Sequence, residues 1–468
     1  MYRQEFKELI KVALPLVLAQ LAQNTVAFVD TLMVGRLGNE ALAGIAIGST
    51  VFHFVMVILS GFVLGVSPLV SQATGAGDEE TCGRAVRQGL WLSIALFLPA
   101  FVLYWNAYSI LIFLNQSPET ALASAAYLRA ISWGLLPALW TMALRGLLEG
   151  KSNTTPIMLI SFAGVLLNIF ANDVLMFGKF GFPALGLVGT GYASSFVYVN
   201  VFVFTALYVS WKYGYLNVFS KIRTPDFSML KELVIVGGPI GITFAFEISM
   251  FSAAAITMGT LGDHQLAAHQ IALQMASISF MIPLGLAIAT SARVGQAIGA
   301  GSPHRAEVAG HVGMMCCMFV MSISALVFLL LPNFIIGFFI DVAAPENKEV
   351  VQFATSFLSI AAIFQIVDGL QVAASGSLRG LKDTTATMIL TLFSYWCVGC
   401  VVGWVLCFEL GYGGSGLWWG MTVGLFMAAI LLAVRFHFRI QRAKRENEIG
   451  TSDDIESENE SAGQGSAS

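Results

Sequence analysis

The segment PLVLAQLAQNTVAFVDTLMVGRLG (residues 15–38) returns 224 positions later as PIGITFAFEISMFSAAAITMGTLG (residues 239–262). The register holds without a gap from residues 15–85 onto residues 239–309. Pro15 falls on Pro239, Gly35 on Gly259, Leu37-Gly38 on Leu261-Gly262, Leu42-Ala43 on Leu266-Ala267 and Gly61 on Gly285. The match closes in the loops QATGAGD (72–78) and QAIGAGS (296–302). Further on, GLLEGKSNTT from Gly146 parallels GSLRGLKDTT from Gly376, and GFPALGL from Gly181 parallels GYGGSGL from Gly411. Gly and Ala are common enough to match by chance, but chance does not keep their order without a gap. The chain reads as two copies of one unit, and a repeat decides the architecture before any single residue does.

Working outward, 57% of the 468 residues are hydrophobic, only 11% are charged, and the mean hydropathy is +0.77. Soluble domains carry about 25% charge. A helix needs about 20 apolar residues to cross a bilayer. Twelve segments qualify, near 12–35, 41–72, 88–110, 121–147, 156–178, 184–211, 232–259, 265–299, 309–332, 350–377, 386–408 and 415–438. These runs are long and apolar all round, unlike the short alternating strands of a membrane barrel. The expected fold is an all-α polytopic membrane protein with twelve transmembrane helices in two six-helix lobes around a central cavity. The lobes are expected at residues 1–211 and 232–440, joined by a charged cytoplasmic connector at 212–231. Six spans per copy is an even number, so both copies share an orientation and are related by an axis along the membrane normal. Two such lobes rocking about a central site are the default alternating-access machine.

The first apolar run continues past Asp30 without a small-residue cleavage site, so it reads as a retained span rather than a removed signal peptide. With both termini on one side, Arg3, Lys7, Lys11, Arg84, Arg87, Lys151, Lys212, Lys221, Arg223, Arg305, Lys382 and the basic run Arg435–Arg445 share that side. Arg36, Lys179 and Lys348 oppose it. The positive-inside rule then places both termini in the cytoplasm. The net charge of −4 comes from the tail ENEIGTSDDIESENESAGQGSAS (446–468), whose charges are all acidic and whose composition reads as disordered. Among six cysteines, Cys397 and Cys400 form a CxxC inside a predicted span, without histidine or acidic neighbours. Small-residue core packing is expected there rather than redox or metal chemistry.

Three acids stand inside apolar stretches: Asp30, Glu247 and Asp368. A charge at the bilayer centre costs at least about 2.5 kcal/mol, so such residues usually face a cavity and handle ions or protons. The copies differ at these positions. Gln23 aligns with Glu247 and Asp30 with Ala254, so each lobe has an acid the other lacks. Gln23 and Asp30 are two turns apart on one helical face, beside Gln20 and Asn24. Helical spacing puts Thr243, Phe244, Met250 and Phe251 around Glu247, a setting that suits a bulky organic cation through charge and cation–π attraction. Gln365, Asp368 and Gln371 recur every three residues and read as a cavity wall or ion site; a structural carboxylate is the plainer alternative for each acid. Asn168 and Asn172, one turn apart and followed by Asp173, form a polar cluster able to bond Asp30, although helix–helix packing explains asparagines nearly as well. Arg129 and Arg293 snorkel or pair with an acid and are left out of the site. His269 reads as a hydrogen-bonded helix histidine, since no second histidine has ligand spacing.

The segments PLVLAQLAQNTVAFVDTLMVGRLG (15–38), LLNIFANDVLMFGKFGFPALGLVGTG (166–191), LGDHQLAAHQIAL (261–273) and QIVDGLQVAASGSLRGLKDT (365–384) resemble the multidrug and toxic compound extrusion family, in its bacterial NorM-like branch. The resemblance covers about residues 5–440, with the segments in the family's order. It implies two six-helix lobes forming a V-shaped cleft, and export of varied, often cationic drugs and dyes driven by a sodium or proton gradient. It further implies that Asp30 serves protonation and drug release with Asn168 and Asn172 beside it, and that Glu247 and Asp368 bind the cation and couple it to drug. Phe364 departs from the pattern, because some relatives carry tyrosine there; its missing hydroxyl leaves sodium against proton open. A hard cation wants several oxygens, of which Glu247 and Asp368 supply part, so a sodium site at those two residues is the only metal expectation and no cofactor is expected. The resemblance points to the inner membrane of a Gram-negative bacterium and to a monomer with no nucleic-acid partner. A lipid or lipid-linked oligosaccharide flippase of the same two-lobe superfamily is the alternative. It would want a cationic cavity, whereas the mid-membrane charges here are mainly acids. An enzyme or channel lacks a nucleophile elbow, phosphate loop, metal-ligand cluster or filter motif.

Overall fold

A computed structural model describes residues 1–35, 39–221 and 225–465, and no side chain is described at 39–43 or from 449 onward. Arg36 and Arg223 of the charge pattern therefore lie outside the described residues. Among the described residues the chain is helical without a strand, and twelve helical spans are long and apolar enough to cross a membrane. The first copy comprises α1 (Tyr2–Val34), α2 (Asn39–Val63), α3 (Val66–Ala76), α4 (Glu79–Trp105), α5 (Ala107–Phe113), α6 (Pro118–Gly150), α7 (Thr155–Phe177) and α8 (Gly186–Lys212). The second comprises α9 (Phe227–Leu261), α10 (Asp263–Gly299), α11 (Pro303–Leu330), α12 (Pro332–Ile336), α13 (Lys348–Gly380), α14 (Thr384–Leu392), α15 (Val401–Trp404) and α16 (Gly413–Gly465). Even the short α5 has its counterpart in α12. The copies differ in their second span, which breaks into α2 and α3 at Leu64-Gly65 but runs unbroken as α10. The eleventh span also differs, being π-helical over Phe393–Cys400 and Val405–Glu409.

Local chemistry sets the helix ends. The Asp78 side chain accepts the Thr81 N–H to start α4, and Asp226 accepts those of Ser228 and Met229 to start α9. Pro118 and Pro303 open α6 and α11, where a missing N–H costs nothing. Gly77 closes α3 in the left-handed region at φ 75°. Large apolar side chains such as Leu166, Phe319 and Leu330 are exposed on the outer surface, as expected for helices that meet lipid. Composition reads the segment after Arg445 as disordered, yet α16 continues through it to Gly465. No proline interrupts the helix, and an Arg442–Glu446 pair spans one turn at 2.7 Å.

Because twelve is even, both termini lie on one face, and the lobes are joined there by symmetry-related contacts. Gln72 Nε2 donates to the Gly380 carbonyl at 2.8 Å, and its repeat counterpart Gln296 donates to the Gly150 carbonyl at 2.8 Å. Gln296 also reaches Ser152 Oγ at 2.9 Å, and Arg293 grips Glu5 of the other lobe at 2.7 and 2.8 Å. Arg293 is thus a paired arginine, one of the two fates its sequence position allows. The backbones meet closely at matched glycines: a Cβ on Gly75 would run into the Gln296 carbonyl, and one on Gly299 into the Gln72 carbonyl. Farther along the helices Gly61 abuts Gly241, and the repeat-related contact sets Gly285 against Val17.

Gly299→Val should overpack this seam and cost about 1–3 kcal/mol, lowering the apparent Tm of the purified protein in detergent. Gly35→Val, where a Cβ meets nothing within 4 Å, should leave the Tm unchanged.

Candidate functional site

The apolar helices bring the three acids to two separate places, one in each lobe. In the amino-terminal lobe α1 presents Asp30 to α7 and α8. Asp30 Oδ1 accepts from Asn172 Nδ2 at 2.6 Å and from Asn168 Nδ2 at 3.0 Å, and Ser194 Oγ donates to Oδ2 at 3.4 Å. Asn172 also donates to Asn168 Oδ1 at 3.3 Å, so one helical turn of α7 forms a two-amide clamp. Both asparagines are fully buried. Tyr127 and Tyr198 stand within the field of the Asp30 charge. Asp173 takes no part: it turns outward and pairs with Lys179 at 2.9 Å. In the repeat register, 230 positions on (Gly146 with Gly376), Asn168, Asn172 and Ser194 become Val398, Val402 and Gly424, while Asp30 becomes Ala254. The second copy lacks the whole pocket.

In the carboxyl-terminal lobe Glu247 on α9 and Asp368 on α13 act on one another electrostatically. Asp368 is buried and Glu247 half-buried. Two further groups enter their field. The Tyr395 side chain, fully buried with a hydroxyl that makes no hydrogen bond, feels both acids, and Arg379 at the end of α13 acts on Glu247. Neither was singled out from the sequence. Tyr395 sits in the π-helical turn, a local unwinding often found at functional positions and not written in hydropathy. Arg379 was visible as a cation three residues before Lys382-Asp383, but its inward direction was not.

Other expectations fare differently. Gln365, Asp368 and Gln371 do not wall an open cavity: they are 1%, 6% and 5% exposed and packed between helices. A three-residue step advances 300°, so the stripe winds around α13 toward different neighbours. Gln365 Oε1 accepts from Ser324 of α11 at 2.7 Å. Met250 and Phe364 are likewise core, with Phe364 edge-on to Phe251 at 6.3 Å and to Trp418 at 5.7 Å. Phe244 and Phe251 remain half-buried around Glu247, and Gln23 is exposed on α1. His269 is fully buried against the Trp418 ring at 5.6 Å, and neither ring nitrogen finds a hydrogen bond, contrary to the expected bonded histidine. The CxxC is divided: Cys397 is exposed, whereas Cys400 is half-buried against the core, so core packing holds for Cys400 alone. Arg129 snorkels to the Trp105 carbonyl at 3.1 Å. Among the described residues no cluster of three or more His, Cys, Asp or Glu is placed to hold a metal ion.

With this geometry established, comparison with known proteins is informative. The family model MatE matches residues 15–174 and 239–405, one match in each copy. The chain is 40% identical over 440 residues, 94% of its length and 95% of the relative's, to a protein of Pseudomonas putida named as a probable multidrug resistance protein NorM. Its fold is similar to the eukaryotic MATE transporter AtDTX14, with TM-score 0.82, 22% identity, and 95% and 99% of the two chains covered. It is also similar to an outward-facing multidrug resistance MATE transporter of the MOP superfamily, with TM-score 0.85, 21% identity, and 94% and 97% covered.

Asn172→Ala removes the shorter of the two amide bonds to Asp30. It should destabilise the protein by about 1–3 kcal/mol, read as a lower apparent Tm. Asn200→Ala, which loses only an exposed bond within its own helix, should not.

Proposed function

The chain belongs to the MatE family, the multidrug and toxic compound extrusion transporters, and from that premise we propose that it exports organic, often cationic, amphipathic compounds in exchange for Na+ or H+. It is a multi-pass membrane transporter rather than an enzyme. The observation that carries the reading is the placement of three membrane-depth acids in two chemically different pockets. Asp30 is held by neutral amide and hydroxyl donors, while Glu247 and Asp368 share one field in an aromatic surround. Antiport needs sites at which one positive species displaces another, and two carboxylates in mutual repulsion bind any cation that neutralises them. Each ligand then weakens the other, which is the coupling free energy an exchanger runs on.

The donor set suits both candidate ions. Glu247, Asp368 and the unbonded Tyr395 hydroxyl are hard oxygen donors of the kind Na+ prefers, and the same acids accept protons. Tyr395 offers a hydroxyl within the field of both acids, and Phe364 offers none. Phe244 and Phe251 supply an aromatic surface for flat or bulky cations. In the cycle we propose, compound enters from the cytoplasm or inner leaflet, the lobes rock outward, and ion binding at the carboxylates expels it. The positive charge on the terminal face supports cytoplasmic termini in a bacterial inner membrane. A flippase for anionic headgroups is argued against by the buried cations, since Arg145 and Arg379 are both claimed by acids.

Ethidium efflux should be measured in cells lacking their own pumps, with sodium and pH gradients imposed separately. The wild type should export under at least one gradient, and Asp30→Asn, Glu247→Gln and Asp368→Asn should each fall to the level of cells without the protein while inserting normally. Wild-type export that ignores both gradients contradicts ion coupling, and a variant that exports normally removes that residue from the mechanism.

A further inference from the structure

The residues next to the seam carbonyls are charged and opposite. Gly150 and Gly380, which accept Gln296 and Gln72, directly follow Glu149 and Arg379, positions equivalent in the repeat. Duplication has thus put an acid and a base at one pseudo-symmetric place. Both side chains are more than nine-tenths buried, with 2% and 8% exposure, and Glu149 Oε2 and Arg379 Nε make no hydrogen bond. Arg145, 6% exposed, lies 3.7 Å from Glu149 and reaches back to Gln20 on α1 at 3.4 Å. On the other side Arg379 feels both Glu149 and Glu247. One buried line of charge therefore runs from α1 through Arg145, Glu149 and Arg379 to Glu247 and Asp368, crossing the lobe seam between Glu149 and Arg379.

Resting on the functional reading above, we propose that Arg379 is a positioning residue shared between Glu247 and Glu149, through which occupancy of the carboxyl-terminal acids is transmitted to the seam. When Glu247 is ionised and empty, its charge draws the guanidinium away from the seam. When an organic cation neutralises Glu247, that attraction falls and Glu149 holds Arg379, adding a buried inter-lobe ion pair beside the Gln72 and Gln296 bonds. Loading of a cationic compound thereby seals the terminal face and commits the carrier to the opposite opening. A guanidinium suits this role because it stays charged and offers donors in a wide fork, so two acids can share it.

The test uses the full-length protein, purified with its six cysteines replaced by alanine and one reporter, Ala297→Cys, in the seam cavity lined by Glu5, Arg293 and Gln296. The labelling rate with a water-soluble maleimide is followed with and without tetraphenylphosphonium, whose binding is measured separately. In the parent, tetraphenylphosphonium should slow labelling by about fivefold or more, the usual scale of coupling between sites. Arg379→Gln should bind tetraphenylphosphonium more tightly, having lost a competing cation beside Glu247, yet lose the slowing; Arg379→Lys should restore it. Arg145 still faces Glu149 in Arg379→Gln, so that acid keeps a partner. The double variant Glu149→Gln/Arg379→Gln, with both sides of the seam pair neutral, should behave like Arg379→Gln. Slowing that survives in Arg379→Gln, or in the double variant should the single one not fold, overturns the role of Arg379 alone. A parent that binds no tetraphenylphosphonium overturns the transport reading and this proposal with it.

Discussion

On the terminal face the lobes are tied by one hydrogen bond made twice. Gln72 and Gln296 occupy equivalent positions near the ends of α3 and α10 and donate across the seam to equivalent carbonyls, Gly380 and Gly150. Everything else in the arrangement depends on that reciprocity. Each bond requires the two backbones to approach to a distance that no side chain at Gly75 or Gly299 would allow. An amide-to-carbonyl bond contributes only about 0.5–1.5 kcal/mol net. Two of them with the Glu5–Arg293 pair give a seam strong enough to define a state and weak enough to open.

Duplication supplies the frame, and divergence supplies the chemistry. Two identical halves would carry the same acids in the same places and respond to an ion identically. Here the Asp30 pocket of two asparagines and a serine is replaced in the second copy by valines and glycine, whereas Glu247 and Asp368 correspond to Gln23 and Ala138. At the seam itself the copies carry Glu149 and Arg379, so sequence divergence has made an ion pair out of a symmetry-related position. Buried charges are retained only when partnered: Arg145 and Arg379 face acids, and Arg87 donates to the Leu216 carbonyl.

The fold was legible because its two determinants, apolar length and repeat register, are written in linear sequence. The six-plus-six division follows from the repeat, and a turn of helix places residues 168 and 172 on one face; that this face meets Asp30 was one of two readings the spacing allowed and the one the family resemblance implied. What escaped was direction. Gln365, Asp368 and Gln371 looked like a wall because hydropathy does not say which neighbours α13 faces, and α13 is enclosed by α10, α11 and α16. Tyr395 escaped because a π-helical turn resets the face on which a residue points. Arg379 escaped because its inward reach depends on the tilt of a side chain toward the amino end of its helix.

The central claim is that two rigid lobes exchange a seal on the terminal face for one on the opposite face. It is tested most directly by electron–electron distance measurements on spin-label pairs at equivalent exposed positions of the two lobes. Glu80 with His304 reports the terminal face, and Phe182 with Tyr412 the opposite face. With tetraphenylphosphonium added and then displaced by Na+ or by lowered pH, the two distances should change in opposite directions, one face parting as the other closes. Distances that stay fixed under all three conditions, or that lengthen and shorten together, would contradict a rocking carrier.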